Sequence, residues 1–156
     1  MYLLYIIVIV NENEIKGIYK RFRKLDIERK GYVTPAEFSS MPELEKNPLC
    51  QRICQVLCKE SEKIDFVSFV KALSIFNNRG DAESQAVFMF KVYDINNDGY
   101  VTEEEMMNIF KLLVRQNLST LQLQQIVERT LKELDVDRDG KLNYSEFKKV
   151  IFKYIE

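Results

Sequence analysis

Two twelve-residue segments, 94–105 and 135–146, repeat one pattern of oxygen-bearing side chains, and this pattern restricts the possible folds more than any other feature. Each segment begins with Asp, carries Gly at its sixth position and ends with Glu. Acidic, amide or hydroxyl side chains fill the third, fifth and ninth positions, so that their oxygens can converge on one ion. The central glycine permits the sharp turn that such convergence requires. The repeat therefore predicts a pair of cation-binding loops.

This spacing matches the calcium loop of EF-hand proteins, in which ligands come from positions 1, 3, 5, 7, 9 and 12. Every candidate ligand is a hard oxygen donor, which suits calcium and not a soft metal. The final Glu supplies two oxygens to a shell that magnesium fits poorly. We therefore predict two bound Ca²⁺ ions, one in each loop. The candidate metal ligands are Asp94, Asn96, Asp98, Tyr100 (carbonyl), Thr102 and Glu105, and Asp135, Asp137, Asp139, Lys141 (carbonyl), Asn143 and Glu146.

The segments that flank the loops have helical periodicity. Four apolar residues of the first segment, for example, recur at the spacing of one helix face: Ile15, Ile18, Phe22 and Leu25. A unit of helix, polar loop, one aliphatic residue and second helix occurs four times, with loops that start near positions 26, 57, 94 and 135. We predict an all-α fold of four EF-hand helix–loop–helix units in two paired lobes, with two-residue β bridges between paired loops.

The predicted organisation has three parts. They are an apolar N-terminal arm at 1–11, an N-terminal EF-hand pair with degenerate loops at 12–78, and a C-terminal calcium-binding pair at 79–156. Val101 and Leu142 occupy the eighth positions of the complete loops, where we expect them to face each other in a β bridge. The joint between the pairs is placed at 77–81. Residues 1–10 form an apolar run too short to span a bilayer, so no transmembrane segment is predicted.

The first loop, which starts at Asp26, departs from the template at its fifth position. Lys30 puts an ammonium where an oxygen ligand belongs, and Arg29 adds a second positive charge. We expect calcium to bind here weakly, if at all. The alternative is that the lysine swings outward and leaves three carboxylates, Asp26, Glu28 and Glu37, as ligands.

The second loop has lost its ligand set. With Ile64 as the eighth residue, the loop starts at Leu57 and ends at Ser68, without a glycine at the turn or an acid at either end. A start at Cys58 would shorten the loop by one residue. We predict that this loop binds no metal and is retained for pairing. The N-terminal lobe should then be held by apolar contacts, and its predicted core residues are Phe22, Leu25, Phe38, Ile53, Phe66, Phe69 and Leu73.

The composition excludes several function classes. The chain has no His, the commonest general base and zinc ligand, and no nucleophile–base pair, so no enzymatic activity is predicted. Its 23 basic and 24 acidic residues leave a net charge of −1, so no nucleic-acid partner is expected. Cys50, Cys54 and Cys58 fall on one helical stripe. We interpret them as small apolar residues of a protein in a reducing compartment, not as a thiolate metal site or redox sensor.

Several segments between the loops are distinctive. They are MPELEKNPL at 41–49, QRI at 51–53, LVRQNL at 113–118 and LQLQQIV at 121–127. Together with the 41-residue offset between Asp94 and Asp135, they resemble the calcineurin B family, the regulatory subunits of the calcium/calmodulin-dependent protein phosphatase. The resemblance implies a cytoplasmic, non-catalytic, calcium-binding subunit that binds an amphipathic helix of a phosphatase catalytic subunit.

An EF-hand pair can take a partner helix in an apolar groove. The residues predicted to line the groove of the second lobe are Met106, Met107, Ile109, Phe110, Leu113, Ile126, Val127, Leu131, Phe147, Val150 and Ile151. The resemblance adds the stretch that in this family helps to dock substrates and immunophilin–drug complexes. That stretch corresponds to Leu112, Leu113, Val114, Asn117 and Leu118.

Two other functions stay open. Degenerate first and second loops followed by two complete ones are also the arrangement of the calcium- and integrin-binding adaptors, so a stand-alone calcium sensor or adaptor is the alternative. A plain calcium buffer is the third hypothesis. If the resemblance to calcineurin B holds, calcium is mainly a structural ion of the second lobe, and switching comes from another sensor such as calmodulin.

Overall fold

The computed structural model describes residues 12–58, 62–76, 82–114 and 117–155. Its contacts divide the chain into two compact units, Met1–Gly80 and Asp81–Glu156. Each unit contains two helix–loop–helix repeats whose loops meet in a small antiparallel sheet. The predicted all-α EF-hand fold is confirmed. The N-terminal arm predicted at 1–11 and the joint predicted at 77–81 lie outside the described residues.

The first unit forms two hands around a short connecting segment. Its helices are α1 (Glu12–Leu25), α2 (Pro35–Ser39), α3 (Pro42–Glu45), α4 (Cys50–Cys58) and α5 (Phe66–Phe76), and its strands are β1 (Tyr32–Val33) and β2 (Ile64–Asp65). Helix α2 starts at Pro35 because Thr34 and Glu37 form a capping box, in which each side chain accepts the other residue's backbone N–H. Proline is well suited to the first helical position, since its φ is already helical and its missing N–H would have no helical partner.

The second unit repeats this arrangement with four helices of 12 to 15 residues in its described part. They are α6 (Ala82–Tyr93), α7 (Glu103–Val114), α8 (Thr120–Leu134) and α9 (Tyr144–Ile155), and the strands are β3 (Tyr100–Thr102) and β4 (Lys141–Asn143). A capping box of Ser119 and Gln122 starts α8. Three consecutive acids in the first turn of α7 complement the positive end of its dipole.

The eighth loop residues pair as predicted. Val33 lies opposite Ile64 in the first unit, and Val101 lies opposite Leu142 in the second. All four side chains have an exposed fraction of 0%. The second sheet is longer than the predicted two residues per strand, because the residues on either side of Val101 also pair across the loops.

Aromatic side chains dominate the core of the first unit. The ring centroids of Phe22 and Phe69 are 5.3 Å apart, and those of Phe38 and Phe69 are 5.9 Å apart, both in edge-to-face geometry. Of the predicted core residues, Phe22, Phe38, Ile53, Phe69 and Leu73 are buried, and Leu25 and Phe66 are partly buried. These contacts between buried apolar side chains stabilise the unit.

The second unit has a comparable core beneath its two loops. Phe90 of α6 stacks edge-to-face on Phe147 of α9, with centroids 5.4 Å apart. The buried cluster comprises Phe90, Val101, Met106, Val127, Leu131, Leu142 and Phe147. Within the described part of the chain, no helix is long and apolar enough to cross a membrane.

We expect Ile64→Ala to destabilise the first unit by about 2–5 kcal/mol, because it leaves a cavity beneath the loop pair. The matched control is Ile27→Ala, since Ile27 is 81% exposed and its truncation should change the free energy of unfolding by less than about 0.5 kcal/mol. Native-state hydrogen exchange at the amides of α5 measures both changes in the full chain. Equal effects of the two substitutions would contradict the role given to the loop pair.

Candidate metal centres

The third loop is folded around the carboxylate of Asp94, which is buried at the end of α6. Its Oδ1 accepts the backbone N–H of Asp98 at 3.1 Å, and its Oδ2 accepts that of Gly99 at 3.0 Å. Gly99 has φ +88°, a conformation that L side chains rarely adopt. The carboxylate and the glycine together form the tight turn that the template requires.

Glu105 closes the third loop from its other end. Its Oε1 accepts the N–H groups of Ile95 and Asn96 at 2.8 and 3.1 Å, and its Oε2 accepts the N–H and the hydroxyl of Thr102 at 2.9 and 2.8 Å. Burial raises the pKa of this carboxyl, but the combined hydrogen bonds outweigh burial and the pKa is lowered. Glu105 is therefore an anion aimed into the loop.

The fourth loop has the same construction. Asp135 accepts the N–H groups of Asp139 and Gly140 at 3.2 and 2.8 Å. Glu146 accepts the N–H of Val136 at 2.8 Å with one oxygen, and that of Asn143 at 3.0 Å with the other. Two loops of different sequence thus present their first and last carboxylates in the same way.

The fourth loop gathers more negative charge than the third. Ligand oxygens of Asp135, Asp137 and Asp139 lie within 4.8 Å of one another. Partial desolvation, together with the charges of neighbouring carboxylates, raises the pKa of Asp137. In the third loop the corresponding residue is the neutral Asn96, whose amide donates to Asp98 at 3.0 Å. A cation in the fourth loop would therefore relieve more repulsion than one in the third.

The two loops also contact each other through their seventh residues. Tyr100 and Lys141, predicted as carbonyl ligands, begin β3 and β4. The Lys141 ammonium lies 3.7 Å from the centroid of the Tyr100 ring, which is a cation–π contact. The structure thus brings all the predicted ligand residues of the second unit into two adjacent loops.

The first loop keeps the turn of a calcium loop but fills its centre differently. Asp26 is buried and accepts the N–H groups of Lys30 and Gly31 at 2.7 and 2.8 Å, as Asp94 does in its own loop. One oxygen of Glu37 accepts the N–H of Thr34 at 2.8 Å. The other oxygen accepts the Lys30 ammonium at 3.0 Å. The sequence identifies the lysine at the fifth position but not this contact, because spacing leaves the conformation of a long side chain open.

The second loop keeps its pairing residue without a ligand set. Ile64 is opposite Val33, which supports the assignment of Ile64 to the eighth position. Asp65 accepts the N–H of Ser68 at 2.7 Å and so caps α5. Glu62 has φ +50° at the position where the other loops have glycine. The prediction that this loop binds no metal and serves for pairing is consistent with the contacts of its described residues.

The predicted groove residues fall into three groups. Met106, Ile109, Val127, Leu131 and Phe147 are buried, and Met107, Phe110, Val114 and Leu118 are partly buried. Leu112, Leu113, Asn117 and Ile126 are exposed. The side chains of Val150 and Ile151 lie outside the described residues. The exposed apolar members belong to the end of α7 and to α8, where Leu121 is exposed as well.

The three cysteines line a cavity of about 600 Å³ in the first unit. Cys50 donates to the Ser39 hydroxyl at 3.3 Å, and the Cys54 sulfur lies 3.4 Å from the same oxygen. Burial raises the pKa of the Cys54 thiol to about 11. A neutral thiol is a poor nucleophile and a poor metal ligand, so the arrangement favours a packing role.

Comparisons with known proteins point to one family. A family model described as an EF-hand domain pair matches residues 83–152. Calcineurin B of Naegleria gruberi is 43% identical over 141 residues, which cover 90% of this chain and 80% of that protein. The type 2 calcineurin B of Bos taurus is 42% identical over 142 residues, covering 90% and 84%. Calcineurin B of Schizosaccharomyces pombe is 40% identical over 142 residues, covering 90% and 82%.

Solved structures give an independent view of the fold. A chain from a structure described as a PP2A PR70 holoenzyme matches 88% of this chain with a TM-score of 0.66 and 17% sequence identity. This chain spans about half, 53%, of that longer chain. At 17% sequence identity, this similarity shows a shared fold and nothing further.

We expect native Cys54 to react with iodoacetamide roughly 100-fold or more slowly than in the unfolded chain, because it is 4% exposed and its pKa is raised. Mass spectrometry of peptides from timed samples measures the rate at each cysteine, and the more accessible Cys50 is the internal control. Labelling of Cys54 at its unfolded rate would contradict the packing role and favour a redox sensor.

Proposed function

The chain belongs to the calcineurin B family of EF-hand proteins, and on this premise we propose that it is the calcium-binding, non-catalytic regulatory subunit of a calcineurin-type Ser/Thr protein phosphatase. The observation that carries the proposal is the extent of the similarity. It runs over 141 residues and 90% of the chain, and so includes the segments between the loops as well as the loops themselves. Calcium binding by itself does not require the segments between the loops to be similar in sequence.

We assign the two calcium ions to the third and fourth loops. In both loops the first Asp and the last Glu are oriented by backbone N–H groups of the loop itself. Such orientation reduces the conformational cost of binding, since the ligand oxygens already face the loop. The ligand oxygens are hard donors, which favours calcium.

The partner we propose is an amphipathic helix of the phosphatase catalytic subunit. The exposed apolar residues Leu112, Leu113, Leu121 and Ile126 lie at the end of α7 and along α8. Apolar side chains at helical spacing are the usual anchors for a partner helix. The buried groove candidates, Met106 among them, would have to become accessible if the helix inserted more deeply. Docking of immunophilin–drug complexes at the stretch from Leu112 to Leu118 belongs to the same proposal.

A stand-alone adaptor of the calcium- and integrin-binding type remains the second candidate, on the observation that the first two loops lack a complete ligand set. The relatives from Naegleria gruberi, Bos taurus and Schizosaccharomyces pombe all carry a calcineurin name, which favours the first candidate. A cytoplasmic location is part of the proposal and is supported by three free cysteines.

Isothermal titration of the full chain should give two calcium ions, both in the second unit. Glu105→Gln and Glu146→Gln should each remove one ion, because each takes away the bidentate carboxylate of one loop. We expect Glu146→Gln to remove the tighter ion, since the fourth loop has four carboxylate ligands and the third has three. A stoichiometry near four would contradict the assignment, and loss of the tighter ion in Glu105→Gln would reverse the ranking.

The partner proposal is tested by recombinant co-expression with the catalytic subunit from the same source. Ile126→Glu should reduce recovery of the catalytic subunit at least about tenfold, because a charge on the apolar face must be desolvated on binding. Ile27→Glu is the matched control, an exposed isoleucine in the first unit, and should leave recovery unchanged. Failure of the unsubstituted chain to bind the catalytic subunit would favour the adaptor hypothesis.

A further inference from the structure

The ammonium group of Lys30 lies between two carboxylates of the first loop. It is 3.0 Å from an oxygen of Glu37 and 3.4 Å from an oxygen of Glu28. These two residues occupy the twelfth and third positions of the loop, which bind the ion in a calcium loop. The ammonium therefore contacts groups that calcium would contact.

The last Glu shows how this loop differs from the two complete ones. In the third and fourth loops its Oε1 accepts backbone N–H groups from the second and third loop residues, at 2.8 Å from Ile95 and 2.8 Å from Val136. In the first loop the same oxygen accepts from Lys30. The N–H of Ile27 is instead directed to the carbonyl of Leu25 at 3.0 Å. Glu37 is thus held over the loop by a side-chain cation.

The surroundings keep both charges in place. The side chains of Lys30 and Glu37 are only 23% and 28% exposed, so water screens them less than it screens a surface ion pair. The hydrogen bond to Glu37 raises the pKa of Lys30, and the hydrogen bond from the Thr34 N–H lowers the pKa of Glu37. A raised lysine pKa and a lowered glutamate pKa both mean that the pair is charged throughout the neutral range.

We propose that Lys30 is a tethered cation that takes the place of calcium in the first loop, so that this hand keeps its closed loop at every calcium concentration. The ammonium is part of the chain, and its effective concentration at the carboxylates is on the order of mM or higher. Calcium would have to displace it without gaining an oxygen ligand at the fifth position. The inference concerns the first loop alone and does not depend on the proposed phosphatase partner.

The rest of the loop is complete, which makes the proposal testable by a gain of function. Lys30→Asp removes the tethered cation and supplies the missing fifth ligand, so the full chain should bind three calcium ions in place of two. Arg29→Asp is the matched control. It makes the same change in charge at the adjacent fourth position, which supplies no ligand, and it should leave the stoichiometry at two. Asp tolerates the φ of +57° found at Arg29.

Lys30→Met tests the cation separately, because it keeps an unbranched side chain and removes only the charge. In calcium-free buffer we expect hydrogen-exchange protection of the Gly31 and Thr34 amides to fall at least about tenfold, with α5 unchanged. Addition of calcium should not restore the protection of these two amides. This variant also decides the question if Lys30→Asp does not fold.

Three results would overturn the proposal. One is unchanged protection in Lys30→Met, and another is the same calcium stoichiometry in Lys30→Asp and Arg29→Asp. The third is a calcium-dependent NMR shift at Gly31 of the unsubstituted chain after the third and fourth loops are saturated, since that would mean that the lysine swings outward. The protection and the NMR shift are read at amides of the first loop, and the stoichiometry is compared between two matched variants of the full chain, so each result isolates the first loop.

Discussion

The pairing of the eighth loop residues is the interaction on which both units depend. A single helix–loop–helix repeat exposes one apolar face, and burying that face requires a second repeat beside it. Val33 with Ile64, and Val101 with Leu142, join the repeats by backbone hydrogen bonds beneath fully buried side chains. This explains why the second loop persists without ligands: its task in the first unit is to supply Ile64.

Within each loop that starts with Asp, the carboxylate of that Asp builds the turn. Asp26, Asp94 and Asp135 each accept N–H groups from the fifth and sixth residues of their own loops. The three loops differ in what holds the last Glu. Backbone N–H groups near the start of the loop hold its Oε1 in the second unit, and the Lys30 ammonium holds that oxygen in the first. The three loops therefore share one backbone turn, and a few side chains decide which cation each loop can hold.

Much of the fold could be predicted, because its determinants are local. The loop spacing indicated where helices end, and the eighth position identified Ile64 in a loop with no ligands. The site was predictable only in part. Which groove candidates are buried, such as Met106, and which are exposed, such as Ile126, depends on how four helices pack, and periodicity alone does not specify this. The contact of Lys30 with Glu37 depends on the conformation of a long side chain, which sequence spacing permits but does not determine.

The contact between Lys141 and the ring of Tyr100 has a consequence for how the two loops fill. It ties a residue of the fourth loop to one of the third, in addition to the three paired residues of the sheet. An ion that orders one loop therefore partly orders the other loop as well. The second ion then binds with a smaller loss of conformational entropy. The affinity of each loop should thus depend on whether the other loop is filled, so that the tighter and the weaker site are coupled.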